Sequence, residues 1–188
     1  MKKLLFICAA IALMSGFSGK VMAQADILTA DHSITFDIPA MKLVGVVGNA
    51  PALSLEQPTA AGKPIAAVST AGDCYLQYTS VVADGAAGTN EITVHMASAM
   101  PAATTLEVQA GTDAGSGSGT IGTPSTKTIG LVQGSAEPLI ADIGSCFTGD
   151  GLTDGHPLTY TWTVNGDYAD LDITAEKSIL ITYTIQAE

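Results

Sequence analysis

The stretch Ile179-Leu180-Ile181-Thr182-Tyr183-Thr184-Ile185 decides the fold class. Ile179, Ile181, Tyr183 and Ile185 fall on one face, and Leu180, Thr182 and Thr184 on the other. A period of two belongs to an extended strand with one side against a core, and β-branched and aromatic side chains suit that surface. The same alternation runs through Leu158-Thr159-Tyr160-Thr161-Trp162-Thr163-Val164, and Asn165-Gly166 follows it as a turn signal. Near the N-terminus, Leu28, Ala30, His32, Ile34, Phe36 and Ile38 share one face, with Asp31, Ser33, Thr35 and Asp37 opposite. Shorter runs predict strands at 42–47, 75–81, 91–96, 104–110, 126–133 and 138–143. Amphipathic crossover helices are missing, which disfavours a parallel α/β architecture. The expectation is an all-β fold, a two-sheet antiparallel β-sandwich of Ig-like or pilin-like type with about nine strands. The Gly/Ser-rich run at residues 111–119 reads as a mobile hairpin tip.

Residues 1–23 read as a secretory signal peptide. Lys2 and Lys3 form its basic start, Leu4 to Met14 its apolar run, and Val21-Met22-Ala23 its cleavage site. Residues 24–188 then form a single domain. The apolar run is too short to span a membrane, and no later stretch reaches the roughly 18 apolar residues a span requires. No integral membrane segment is therefore expected, and the address is the periplasm, the cell surface or the medium.

The charge balance narrows the partners. The chain has 7 basic residues, all lysine, against 18 Asp and Glu. Three of the lysines (Lys2, Lys3, Lys20) lie in the leader, so the remainder carries four lysines against 18 acids, a formal charge of −14. Nucleic acid is excluded as a partner, because phosphate backbones are bound by clustered Lys and Arg. The missing guanidinium also removes the usual bidentate anchor for phosphates and carboxylates.

With Cys8 in the leader, Cys74 and Cys146 remain. Export to an oxidising compartment predicts a disulfide between them. It would close a loop of about 70 residues and contribute about 3–4 kcal/mol in the chain-entropy model. Two isolated cysteines without a CxxC pattern are too few for a structural metal.

Catalytic signatures are missing. There is no GxSxG elbow, and the glycines at 111–119 are not followed by the Lys-Ser/Thr of a phosphate loop. His32, His95 and His156 form no HxH or HxxxH pair, and the first two sit within strand patterns. No enzyme activity and no cofactor are expected, apart from Ca²⁺. Asp150, Thr153 and Asp154 could offer oxygens to that cation. However, Leu152 stands where an EF-hand loop needs an oxygen ligand, Thr161 stands where it needs a closing acid, and Asp-Gly pairs also mark ordinary turns. Trp162, Asp167, Tyr168 and Asp170, with Asp172 close by, combine an aromatic platform with carboxylates, as a glycan-binding face does. The same residue types also build a β core and a solvated turn.

The alternating residues 28–38 admit two readings. They form the first strand of their own fold, or they act as a donor strand that completes the sheet of a neighbouring subunit.

Three segments carry a resemblance: Cys74-Tyr75-Leu76-Gln77-Tyr78-Thr79-Ser80; Gly144-Ser145-Cys146-Phe147-Thr148-Gly149-Asp150-Gly151 leading to His156 and Leu158-Thr159-Tyr160; and the closing strand Ile179–Ile185. Together they resemble small exported bacterial β-sandwich proteins of unassigned activity. The alternating N-terminus and the closing Tyr-containing strand are loosely similar to fimbrial, pilin-like subunits. The resemblance implies a non-enzymatic structural or interaction protein that self-associates or binds protein partners by strand complementation. The other class considered is an extracellular carbohydrate- or Ca-binding β-sandwich module.

Overall fold

The computed structural model describes residues 31–83, 90–125, 129–172 and 177–188; the leader, Leu28 and Ala30 lie outside them. The chain divides into two units, Met1–Ile38 and Pro39–Glu188. In the first, residues 31–38 carry no strand, and Ile34, Phe36 and Ile38 are 64%, 85% and 76% exposed. Their alternation forms no strand among the described residues.

The second unit is all-β. Its strands are β1 (Met41–Gly48), β2 (Val68–Val81), β3 (Asn90–Met96), β4 (Thr104–Ala110), β5 (Ser118–Pro124), β6 (Ile129–Gly130), β7 (Glu137–Phe147), β8 (His156–Val164) and β9 (Ile181–Ala187). Among the described residues, no helix is long and apolar enough to cross a membrane.

The nine strands form one continuous antiparallel sheet that curls on itself. Register explains the continuity. Ser80 of β2 lies opposite Cys146 of β7, and Asn90 of β3 lies opposite Ile143, so β2 and β3 follow one another along the same side of β7. On the same side of β2, β8 takes over where β7 ends, with Leu76 opposite His156 and Val68 opposite Trp162. β4 and β5 likewise run in succession beside β8 and β7. Three long strand tracks thus bend once each, at the interruptions after β2, β4 and β7. Bends of this kind let a strand pass from one layer to the next.

Alternation decides what the curl encloses. Along β2, Cys74, Leu76, Tyr78 and Ser80 are buried, while Tyr75, Gln77 and Thr79 are only half-buried. Ile92, Val94 and Met96 of β3, Leu106 and Val108 of β4, Leu139, Ile140 and Ile143 of β7, and Leu158 and Tyr160 of β8 fill the same core. Each such aliphatic side chain contributes about 1.5–3 kcal/mol relative to exposure.

Most of the alternating runs are strands in the structure, with β4 at the expected residues and β1, β3, β8 and β9 shifted by a residue or two. Two expectations require correction. First, residues 111–119 are not a projecting hairpin tip. They alternate half-buried and exposed along 111–118, and β5 begins within them. A Cβ on Gly115, Gly117 or Gly119 would lie 2.1, 2.2 or 2.2 Å from the carbonyl oxygens of Thr148, Phe147 and Ser145 respectively. The glycines therefore mark close backbone approach, not mobility. The strand expected at 126–133 reduces to β6, with residues 126–128 outside the described set.

Second, Cys74 and Cys146 are both free and buried. Cys146 is opposite Ser80, and the β1–β2 register is unbroken from Cys74 to Val81. Six residues of strand separate the cysteines' positions, about 20 Å at roughly 3.3 Å per residue. A disulfide requires Cα atoms within about 7 Å. Burial raises both thiols, with Cys146 pushed up to about 11, which makes them inert packing groups.

Gly117→Ala would drive a methyl into the Phe147 carbonyl. It is expected to destabilise the fold by more than about 1 kcal/mol, read as a fall in melting temperature of at least about 2 °C. An unchanged melting curve would show that the 111–119 run is not packed as described.

Candidate functional site

The clearest opening in the fold lies between β1 and β9. Among the described residues, β1 pairs with β2 and β9 with β3, and each lies at an edge of the described sheet. Residues directly opposite in an antiparallel ladder share a face. Val44 opposite Tyr78 and Val46 opposite Leu76 therefore point to the core side of β1. Ile181 opposite Met96 and Tyr183 opposite Val94 point to the core side of β9. Because β2 and β3 bend relative to one another, these two rows line a common groove. Val44, Gly45, Val46 and Leu180 to Tyr183 line a shallow groove of about 300 Å³ that is open to solvent.

The groove leaves core-facing surface uncovered. Val46 is 50% exposed although it sits on the core side, whereas Leu180, on the outward face of the run that leads into β9, is 68% exposed at the rim. Tyr183 carries the one polar group directed inward, and it is already engaged, since its hydroxyl and that of Tyr160 lie 2.5 Å apart. Burial raises both phenols, Tyr160 to about 12, so both stay protonated. An apolar wall of this kind is suited to packing.

The residues singled out for Ca²⁺ and glycan binding are placed differently. Asp150 and Thr153 are exposed in the loop after β7. The Asp154 carboxylate accepts the Gly151 N–H at 3.0 Å and the Ser116 hydroxyl at 3.3 Å, closing its own turn. The Gln77 amide donates to the Gly151 carbonyl at 2.6 Å and the Asp154 carbonyl at 3.0 Å, fastening the loop to β2. Among the described residues, no group of three or more His, Cys, Asp or Glu is arranged to hold a metal.

Trp162 continues the core row of Leu158 and Tyr160, opposite Val68 and Leu106. It is half-buried and packs against the core. Tyr168 lies in a 3₁₀ turn at Tyr168–Asp170, and its hydroxyl accepts the Ile65 N–H at 2.7 Å. Asp167, Asp170 and Asp172 are exposed around it.

A buried polar chain was not legible in the sequence. His156 Nδ1 lies 2.8 Å from the Gly111 carbonyl, and its Nε2 lies 2.9 Å from the Tyr78 hydroxyl. That hydroxyl is also 2.6 Å from the Ile121 carbonyl. The two rings stack with centroids 5.7 Å apart and planes 7° apart. Both carbonyls are obligate acceptors, so three contacts call for three protons, and a neutral imidazole with a phenol supplies two. An imidazolium would supply the third. Burial nonetheless outweighs the favourable pull of the Gly111 carbonyl and Asp113 and holds the imidazole below its usual value. The chain ties β8, β2, β5 and the run after β4 together at the bend.

No family model, curated protein or solved structure shows a significant match to this chain.

Because the folded imidazole binds its proton less readily than the unfolded one, the unfolded chain takes up a proton first as pH falls. The contribution of His156 to stability is full above about pH 6.5 and is lost as pH drops below it. Urea midpoints at pH 7.5 and pH 5 should therefore differ less in His156→Gln than in the parent. An equal difference in both would remove His156 from the acid response.

Proposed function

We propose that this chain is a non-enzymatic exported protein that works through its surface, a fimbria-like structural subunit that assembles by strand complementation. Residues 1–23 serve as a cleaved signal peptide, and the product acts in the periplasm, on the cell surface or outside the cell. The two arms of the bent sheet are read as the two layers of a β-sandwich with one edge left open. Residues 28–38 are the donor strand, with Leu28, Ala30, His32, Ile34, Phe36 and Ile38 as its inserted row.

One observation carries this reading. A segment with a strand's alternation leaves its large apolar side chains exposed, Phe36 at 85%, and forms no strand over residues 31–38 among the described residues. Isolated exposed apolar residues are ordinary, whereas a row of them on a strand-like segment marks an interaction element. The charge balance agrees, because a strongly acidic chain with no arginine is poorly equipped for anionic substrates.

Deleting residues 24–38 tests the proposal. The truncated protein should fold, since the core lies wholly in residues beyond Pro39, and should sediment as a monomer. The complete exported protein should form higher assemblies and, by negative-stain microscopy, filaments. Assembly by the truncated protein equal to that of the parent would end the strand-complementation reading.

A further inference from the structure

We infer that Asn165-Gly166 is a site of spontaneous modification, at which the asparagine loses its amide as ammonia and becomes aspartate or isoaspartate. The reaction needs no partner beyond water, and it stands independently of the strand-complementation reading.

The chain has three asparagines, Asn49, Asn90 and Asn165, and the last alone is followed by glycine. The backbone nitrogen of the next residue can close a five-membered ring on the asparagine Cγ, and glycine presents that nitrogen with no Cβ to crowd it. Asn165 is exposed just after β8, and its Oδ1 accepts the Asp167 N–H at 3.2 Å. That bond polarises the side-chain carbonyl and places a donor at the oxygen where negative charge gathers during attack, the role of an oxyanion-hole donor. Gly166 has a φ of +95°, and a Cβ built on it would meet nothing within 4 Å. No packing therefore resists the rotation that brings its nitrogen to Cγ.

The steps balance without an oxidant or a cofactor. Hydroxide removes the Gly166 N–H proton, the nitrogen bonds to Cγ, and the negative charge passes to Oδ1. As the carbonyl re-forms, the Cγ–Nδ2 bond breaks, and Nδ2 leaves as ammonia with a proton taken from water. The resulting succinimide adds one water. Opening at Cγ gives aspartate, and opening at the main-chain carbonyl gives isoaspartate. Either product adds a negative charge beside the exposed Asp167, Asp170 and Asp172. Aspartate keeps an acceptor for the Asp167 N–H. Isoaspartate lengthens the main chain by one carbon between β8 and the 3₁₀ turn that Tyr168 pins to the Ile65 N–H.

The other two asparagines lack these features. Asn90 is buried within β3 between β7 and β9, and its amide donates to the Ser80 hydroxyl at 2.9 Å. Asn49 is exposed, but the methyl of Ala50 crowds the attacking nitrogen, and Pro51 restricts the Ala50 backbone further.

Incubating the folded protein at 37 °C and pH 8, then mapping its peptides by mass and fragmentation, tests the assignment. The amide-to-acid mass gain should fall on Asn165, as two products separable by chromatography, with Asn49 and Asn90 unchanged. Conversion should be faster at pH 8.5 than at pH 7, because hydroxide takes the first proton. Gly166→Ala should slow it several-fold. Asn165→Ser removes the electrophile and should abolish the mass gain in that peptide, which keeps the test intact where alanine at a positive φ lowers the melting temperature. If Asn165 stays intact in the folded protein while the urea-unfolded chain converts there, the fold protects it and the inference is overturned. Conversion at Asn49 or Asn90 as fast as at Asn165 overturns it too.

Discussion

The fold depends on the pairing of one strand. β2 is 14 residues long and meets β1 along one side, with β8 and then β7 along the other. Its buried row of Cys74, Leu76, Tyr78 and Ser80 faces the core throughout. The register of that strand fixes every neighbour's face, because a slip of one residue would turn Leu76 and Tyr78 to solvent. It also places β1 at the rim, with Val44 packed against the core and Val46 half-exposed beside β9. The open groove is thus a consequence of the same register that builds the core.

The bend is the second constraint. Where β2 passes to β3, β4 to β5 and β7 to β8, the sheet turns, and the turn is held by close backbone contact and a few buried polar groups. Gly115, Gly117 and Gly119 let the β5 side approach the carbonyls of Thr148, Phe147 and Ser145. Thr148 is fully buried and donates its hydroxyl toward the Tyr78 carbonyl while accepting the Tyr78 N–H at 3.1 Å. The Asn90 amide donates to the Ser80 hydroxyl at 2.9 Å, joining the end of β2 to the start of β3. Satisfied groups in a low-dielectric interior specify one geometry, whereas unsatisfied ones would destabilise it. The bend in turn brings the core sides of β1 and β9 to a common groove.

These relations account for what the sequence could and could not convey. Alternation located β3, β4, β8 and β9 because each has one face turned to the core, only half-buried in β9, and one wetter face. It missed β5, since glycine at alternate positions leaves no side chains to alternate. The row from Leu28 to Ile38 shows which face would be buried, but it is silent on whose core buries it. The paired cysteines suggested a disulfide on compartment and count alone, and only the register shows them six residues apart along β2. Trp162 and Tyr168 are near neighbours in sequence, yet one packs inward and the other pins a surface turn. The groove itself is set by how the two arms bend, and no local pattern encodes that.

Hydrogen exchange on the assembled protein, compared with the same protein diluted to monomer, tests the central claim most directly. The account predicts that assembly slows exchange at backbone amides of residues 33–37. An assembled form in which residues 33–37 exchange as fast as in the monomer would contradict it.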